Sequence, residues 1–317
     1  MASLESLRFL FITGKGGAGK STVAAALSLA LADRSRRVLV AQCGKDRLST
    51  LFGSPPIATE VVKVRERVWA VVLGRDAALD EYGALMLKSR RISRALFENR
   101  TVRSFLRGVP GLNEWAMLGK AWYHSVETLE NGQPRFDVVL VDAPATGHGL
   151  GMLRVPKVIL EAVPSGLLRR DAQQAWGMFA DPRQTGVLVV TLAEEMPTNE
   201  TIELFSIVRD ELELPIARLI INCLLEPVFS DAERLQLLRY QRAPLHEISS
   251  EADSGKAALQ AAIRRAAREQ VQQDNLRRLQ SLGAKTSSLP MVFEDPDRPS
   301  AIERLARELS NAVKLDD

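Results

Sequence analysis

Eight consecutive residues, Gly14-Lys15-Gly16-Gly17-Ala18-Gly19-Lys20-Ser21, constrain this chain more than any other stretch. They fit G-x-x-x-x-G-K-[ST], and their flanks fit too. The apolar run Leu7 to Thr13 reads as a buried strand, and the alanine-rich stretch Thr22 to Ala32 reads as a helix. Glycines let backbone N–H groups close around phosphate without Cβ clashes, and the helix that follows points its positive end at the same place. Lys20 would reach the β- and γ-phosphates, the Ser21 hydroxyl would ligate Mg²⁺, and Thr22 can donate to the α-phosphate. The expected ligands are therefore ATP or ADP with Mg²⁺.

A second constellation is Leu140-Val141-Asp142-Ala143-Pro144-Ala145-Thr146-Gly147-His148-Gly149. An aspartate at the carboxyl end of an apolar strand is where a Walker B acid sits, so Asp142 would hold Mg²⁺ directly or through water. The glycines flanking His148 suit a loop that changes shape when the γ-phosphate leaves.

Strands and helices alternate along the chain. Arg37 to Ala41, Asp137 to Val141, Gly186 to Thr191, Ile216 to Asn222 and Leu289 to Phe293 read as strands, and Val61 to Leu73 as a strand or hairpin. Helical spacing marks Asp76 to Glu130, punctuated by Pro110-Gly111, and Gly149 to Ala180, interrupted at Pro156 and Pro164. Thr198 is placed as the cap of a helix reaching Glu211. Glu251 to Leu282 is a long helix stopped by Gly283, and Ser300 to Val313 a final amphipathic one. The predicted fold class is α/β: a doubly wound, mostly parallel sheet in one P-loop ATPase domain, 1–317, with segments 76–130 and 149–180 as an inserted helical subdomain.

Lys+Arg total 42 against 39 Asp+Glu, a near balance that argues against a dedicated nucleic-acid binder. No apolar stretch is long enough to span a bilayer and no signal-peptide pattern opens the chain, so a cytoplasmic protein is expected. Cys43 and Cys223 are the only cysteines, too few for a disulfide framework or a Cys-x-x-Cys metal site, and each reads as a core filler.

Lys15, next to Gly16-Gly17, resembles the deviant Walker A loop of the SIMIBI class, which includes MinD, ParA, the nitrogenase iron protein and the ArsA-type ATPases. The resemblance implies a dimer that closes on ATP, with Lys15 reaching the partner's nucleotide. Asp142 to His148 is similar to the Asp-Thr-Ala-Pro-Thr-Gly-His switch II segment of arsenite-pump and tail-anchored-protein-targeting ATPases, and Leu153-Arg154-Val155-Pro156 looks like its continuation. Ala193 to Thr201 resembles the same family's Ala-Glu segment followed by Glu-Thr, which implies a place near the nucleotide and the dimer interface for Glu194 and Glu200. Asn222 matches the asparagine that reads the adenine edge, although a strand-end turn asparagine is the alternative. The stretch containing Pro290 and Met291 looks like the loop that packs on adenine.

The chain departs from the family after its second strand. Relatives carry Asp-Pro-Ala-His, whose aspartate orients the attacking water; here the segment is Ala41-Gln42-Cys43-Gly44-Lys45-Asp46-Arg47-Leu48-Ser49. The aspartate is read as displaced, with Asp46 or Gln42 as the substitute, and slow hydrolysis is expected. The arsenite-sensing cysteines and the dimer-bridging zinc motif are missing. Met86, Met117, Met152 and Met178, with Trp115 and Trp122, fall in the blocks that form a client groove in targeting relatives, although helical spacing of this kind usually marks core. The expected partner is an identical subunit or a paralogous ATPase, plus a hydrophobic or membrane-associated client. The alternatives are a MinD- or ParA-like positioning ATPase, or a non-hydrolysing regulatory subunit.

Overall fold

The computed structural model describes residues 3–74, 78, 111–241, 253–295 and 297–314. Eight strands form one sheet: β1 (Phe9–Thr13), β2 (Val38–Cys43), β3 (Val62–Arg65), β4 (Val68–Leu73), β5 (Val138–Asp142), β6 (Thr185–Leu192), β7 (Ile216–Leu224) and β8 (Thr286–Pro290). Their order is β3-β4-β2-β5-β1-β6-β7-β8. Every pairing is parallel except β3 with β4, which Glu66 and Arg67 join as an antiparallel hairpin at the sheet edge.

The sheet is buried on both faces, which explains the continuous apolar strands. Phe9, Phe11, Val139, Val141, Val187 and Val189 face one core, with α3 (Leu112–Val126), α4 (Thr146–Ala162), α5 (Leu167–Phe179) and α6 (Glu195–Ser206) on that side. Leu10, Ile12, Val138, Leu140, Leu188 and Val190 face the other, with α1 (Lys20–Ala32), α2 (Leu48–Phe52) and α9 (Pro299–Lys314). The remaining described helices are α7 (Asp231–Gln241) and α8 (Asp253–Gln280).

Several boundaries differ from the sequence reading. Pro156 lies inside α4 rather than interrupting it; it is buried beside Met152, Leu153, Val155 and Ile159, so packing of that face outweighs the lost backbone hydrogen bond. Glu194, not Thr198, is the N-cap of α6, because a first-turn amide has no intrahelical partner and Pro197 is tolerated there. Thr198 sits buried inside the helix, and residues Ile207–Glu211 widen into a π turn. Strand β8 lies three residues earlier than the apolar run suggested. Its Ser287 and Leu289 point inward while Thr286 and Ser288 face solvent.

Met117, Met152, Met178 and Trp115 are all buried in the core under the sheet. Met86, Leu85, Leu96, Phe97, Phe105, Leu106 and the arginines between 90 and 107 lie outside the described residues.

Candidate nucleotide site

Strands β1 and β5 are central neighbours, so their carboxyl ends deliver the Gly14–Ser21 loop and Asp142 to one place. The loop's shape depends on its glycines. Gly14 has φ 137°, and a Cβ there would lie 2.0 Å from the Val190 carbonyl oxygen of β6. Gly19 has φ 90°, and a Cβ there would lie 2.3 Å from Asn222 Nδ2. Neither position can hold a side chain without moving a neighbour.

Lys20 opens α1 and is nearly buried. Its Nζ donates to the Gly14 carbonyl at 3.0 Å and to the Lys15 carbonyl at 3.2 Å, lying across the loop. Burial lowers its pKa, and the Asp142 charge offsets part of that. Ser21 Oγ donates to Asp142 Oδ2 at 2.6 Å. Burial pushes the Asp142 carboxyl up, against the opposing pull of the Ser21 and Gln42 donors and of the Lys20 and Arg47 charges.

This donor set is hydroxyl plus carboxylate, all oxygen, which fits a hard cation such as Mg²⁺ that keeps water and phosphate in its remaining positions. Among the described residues no group of three or more His, Cys, Asp and Glu could hold a metal.

Of the residues read as switch II, Pro144 lies in the segment between β5 and α4, and the others open a helix. Ala145 is the N-cap of α4, and Thr146, Gly147 and His148 form its first turn. His148 is exposed and Pro144 half-buried. Gly149 is the close approach, since a Cβ there would meet Pro144 O at 3.0 Å and Thr13 Oγ1 at 3.1 Å. Lys15 Nζ forms an ion pair with Glu200 of α6. Glu194 stands 3.9 Å from Arg268.

Asp46 is occupied elsewhere. Its Oδ1 accepts the Ser49 amide at 3.0 Å and its Oδ2 the Ile57 amide at 2.8 Å. Burial raises its pKa, but these amide donors outweigh that and the net shift is downward. Asp46, which precedes the Arg47 N-cap, thus holds a first-turn amide of α2 and the segment after the helix, and it is Gln42 that contacts the Ser21–Asp142 pair. Gln42 Nε2 donates to Asp142 Oδ2 at 2.9 Å and its Oε1 accepts the Arg47 amide at 2.7 Å. The sequence offers Gln42 as a water-positioning group; its direct bond to Asp142 is a finding of the structure. The only signal in the sequence is a polar residue near the end of an apolar strand; its register with Asp142 comes from the fold.

On the other side of the loop, Asn222 Nδ2 donates to Ala18 O at 3.0 Å. Pro290, the last residue of β8, pairs in register with Leu224, and the Met291 amide donates to Leu224 O at 2.8 Å, which sets both beside the end of β7, just beyond Asn222. A cleft of about 390 Å³ is lined by Asn222, Cys223, Glu194, Arg268, Val271 and Gln272. A second, of about 340 Å³, is lined by Leu224, Leu225, Gln272, Leu276, Leu289 and Pro290. Both are of a size that takes small ligands.

A strand, a glycine loop ending in Lys20-Ser21 and an acid on the adjacent parallel strand define a P-loop nucleotide-binding protein. Residues 7–165 match the ArsA family of anion-transporting ATPases, and the chain belongs to that family. It is similar to ATPase BagA of Mycobacterium tuberculosis, 32% identical over 225 residues that make up 69% of this chain and 66% of that protein. It is 26% identical over 317 positions to a putative arsenical pump-driving ATPase of Halobacterium salinarum, covering 93% of this chain and 47% of that protein. It is also 26% identical over 163 residues to ATPase GET3 of Komagataella phaffii, covering 49% of this chain and 46% of that protein. The chain spans just under two thirds of the mycobacterial relative and about half of the other two.

Proposed function

We propose that this chain binds and slowly hydrolyses ATP, and that nucleotide state controls its association with a second subunit and with a client. The carrying observation is the convergence of Lys20, Ser21 and Asp142 behind a glycine loop that admits no side chain at Gly14 or Gly19. In this reading the loop amides and Lys20 cradle the phosphates, with Thr22 at the α-phosphate. Ser21 and Asp142 would hold Mg²⁺, which would supply positive charge against the phosphates. Asn222, Pro290 and Met291 bind the adenine. Thr146, Gly147 and His148, at the first turn of α4, sense the γ-phosphate. Slow turnover is supported by Asp46, whose carboxylate oxygens are both engaged by backbone amides.

Lys15 is the group proposed to act across subunits, and here it is paired within its own chain to Glu200. Release of that pair would accompany association with an identical or paralogous subunit. Sedimentation velocity with and without ATP tests this. Lys15→Ala should retain nucleotide affinity within roughly threefold but lose ATP-dependent association, since only an ion pair near solvent is removed. Equal loss of affinity in Lys15→Ala and Lys20→Ala refutes the inter-subunit role.

No described helix is long and apolar enough to cross a membrane, and a cytoplasmic location remains part of the proposal. The ParA-like alternative, which would need a basic surface for DNA, is disfavoured by the pairing of Arg265 with Glu269, Arg268 with Glu194 and Arg277 with Asp274. A hydrophobic client would meet surface other than Met117, Met152 and Met178, which fill the core.

A further inference from the structure

We propose that Gln42 is a positioning residue for the metal-binding carboxylate, and that its side chain couples Asp142 to the backbone turn leading into α2. The proposal rests on the reading of Gly14–Ser21 and Asp142 as a Mg²⁺–nucleotide site and adds a residue to it.

Gln42 lies in β2 directly opposite Asp142 of β5 and is 2% exposed. Its Nε2 donates to Asp142 Oδ2 at 2.9 Å and lies 3.4 Å from Ser21 Oγ. Its Oε1 accepts the Arg47 amide at 2.7 Å. A carboxamide is the side chain this place requires. Reversed, its carbonyl would face the carboxylate and its NH₂ would face the Arg47 N–H, so both ends fix one orientation. Glutamate would set a second carboxylate against Asp142, and like charges at that distance repel. An aliphatic residue would leave the Arg47 N–H without this acceptor and Asp142 with one donor fewer.

Two consequences follow from the geometry. Asp142 Oδ2 takes both neutral donors, Ser21 and Gln42, which sets the plane of the carboxylate against the Ser21 hydroxyl. Any shift of that carboxylate also pulls on Arg47, whose neighbour Asp46 holds the Ser49 and Ile57 amides. One buried side chain therefore joins the metal position to the β2–α2 turn and to the start of α2. Because both ends of the carboxamide are engaged, Gln42 serves Asp142 and the turn rather than an attacking water. Groups that orient a metal ligand matter for affinity: losing one typically weakens metal binding 10–100-fold.

The test uses the full chain carrying Gln42→Met, with Gln42→Asn as a second variant that keeps the amide but is too short to span both partners. ATP affinity is measured by calorimetry in EDTA and across a Mg²⁺ titration. Amide exchange is followed by mass spectrometry on the peptide covering 44–52 in nucleotide-free protein. Affinity in EDTA should stay within about twofold, while the Mg²⁺ concentration for half-maximal enhancement rises about 10-fold or more. Exchange in 44–52 should quicken several-fold in both variants. An unchanged Mg²⁺ midpoint with unchanged exchange overturns the proposal, as does an equal loss of affinity with and without Mg²⁺. Wild-type protein that binds no ATP would instead remove the nucleotide-site reading, and the exchange measurement would still decide whether Gln42 ties Asp142 to the turn.

Discussion

Alanine at each of three loop glycines should separate backbone strain from steric clash. Gly14 combines both: φ is 137°, and the added Cβ would sit 2.0 Å from the Val190 carbonyl oxygen, where ordinary contact begins at 3.4 Å. The loop must therefore move about 1.4 Å away from β6, a central strand. Holding alanine at that φ costs about 1–3 kcal/mol, and overfilling a packed site costs about 1–3 kcal/mol more. A total of roughly 2–6 kcal/mol corresponds to a melting temperature lower by roughly 3–9 °C in a chain of this size. Gly17 has φ 86° with nothing within 4 Å, so Gly17→Ala should carry strain alone, about 1–2 kcal/mol. Gly16 has no positive φ and its Cβ would meet Ala145 Cβ at 3.6 Å, an ordinary contact. Gly16→Ala should leave the melting temperature within about 2 °C. Thermal unfolding followed by circular dichroism reads the series. A Gly14→Ala protein that melts with Gly16→Ala would refute the loop geometry.

Other outcomes follow from the site. Asp142 has its pKa raised by burial, so Mg²⁺-dependent nucleotide binding should begin to fail, as pH falls, above the range of an ordinary carboxylate. A raised carboxylate favours the fold at acid pH and opposes it once ionised. Asp142→Asn should therefore raise the melting temperature of nucleotide-free protein at neutral pH, with the gain vanishing in acid and Mg²⁺ dependence lost. Asn222→Ala removes the donor to Ala18 O, and ATP affinity should drop about 10-fold while preference over GTP disappears in competition binding. Arg234 and Glu269 are buried partners between α7 and α8, with side chains 3% and 2% exposed. Arg234→Ala should cost about 1–3 kcal/mol of stability in urea titration by removing its bonds to Gln270 and Gln273 of α8, while Arg265 still faces Glu269.

The doubly wound sheet was legible because buried parallel strands are continuous apolar runs, and β1, β5 and β6 stand out as such. The loop and Asp142 were legible because phosphate chemistry requires those residue types at those spacings. Local pattern failed where packing decides. Pro156 signalled a break, yet its face is buried and α4 continues. Helix α7 carries Arg, Glu and Gln with little apolar periodicity, and Arg234 holds it to α8 through Gln270 and Gln273, a contact no sequence pattern displays. Strand β8 begins in Thr286-Ser287-Ser288, an edge sequence without an apolar signal, whose Ser287 is buried because it accepts Arg218 from β7 at 2.6 Å. Asp46 is a candidate for chemistry by its type and its place after β2, but type alone does not reveal that backbone amides occupy its oxygens. The bond from Gln42 to Asp142 depends on which strands are neighbours, and β2 and β5 are about a hundred residues apart in the chain.

Calorimetric titration of Mg²⁺–ATP into the wild-type chain and into Lys20→Ala tests the central claim most directly. Lys20 already lies across the loop on the Gly14 and Lys15 carbonyls. Its replacement should leave the fold intact and weaken binding about 100-fold or more, as expected when a charged donor to phosphate is lost from a buried site. Saturable binding in the wild type with near-complete loss in the variant is the expected result. Equal heats in the two proteins, or none in either, would contradict the seating of polyphosphate on this loop.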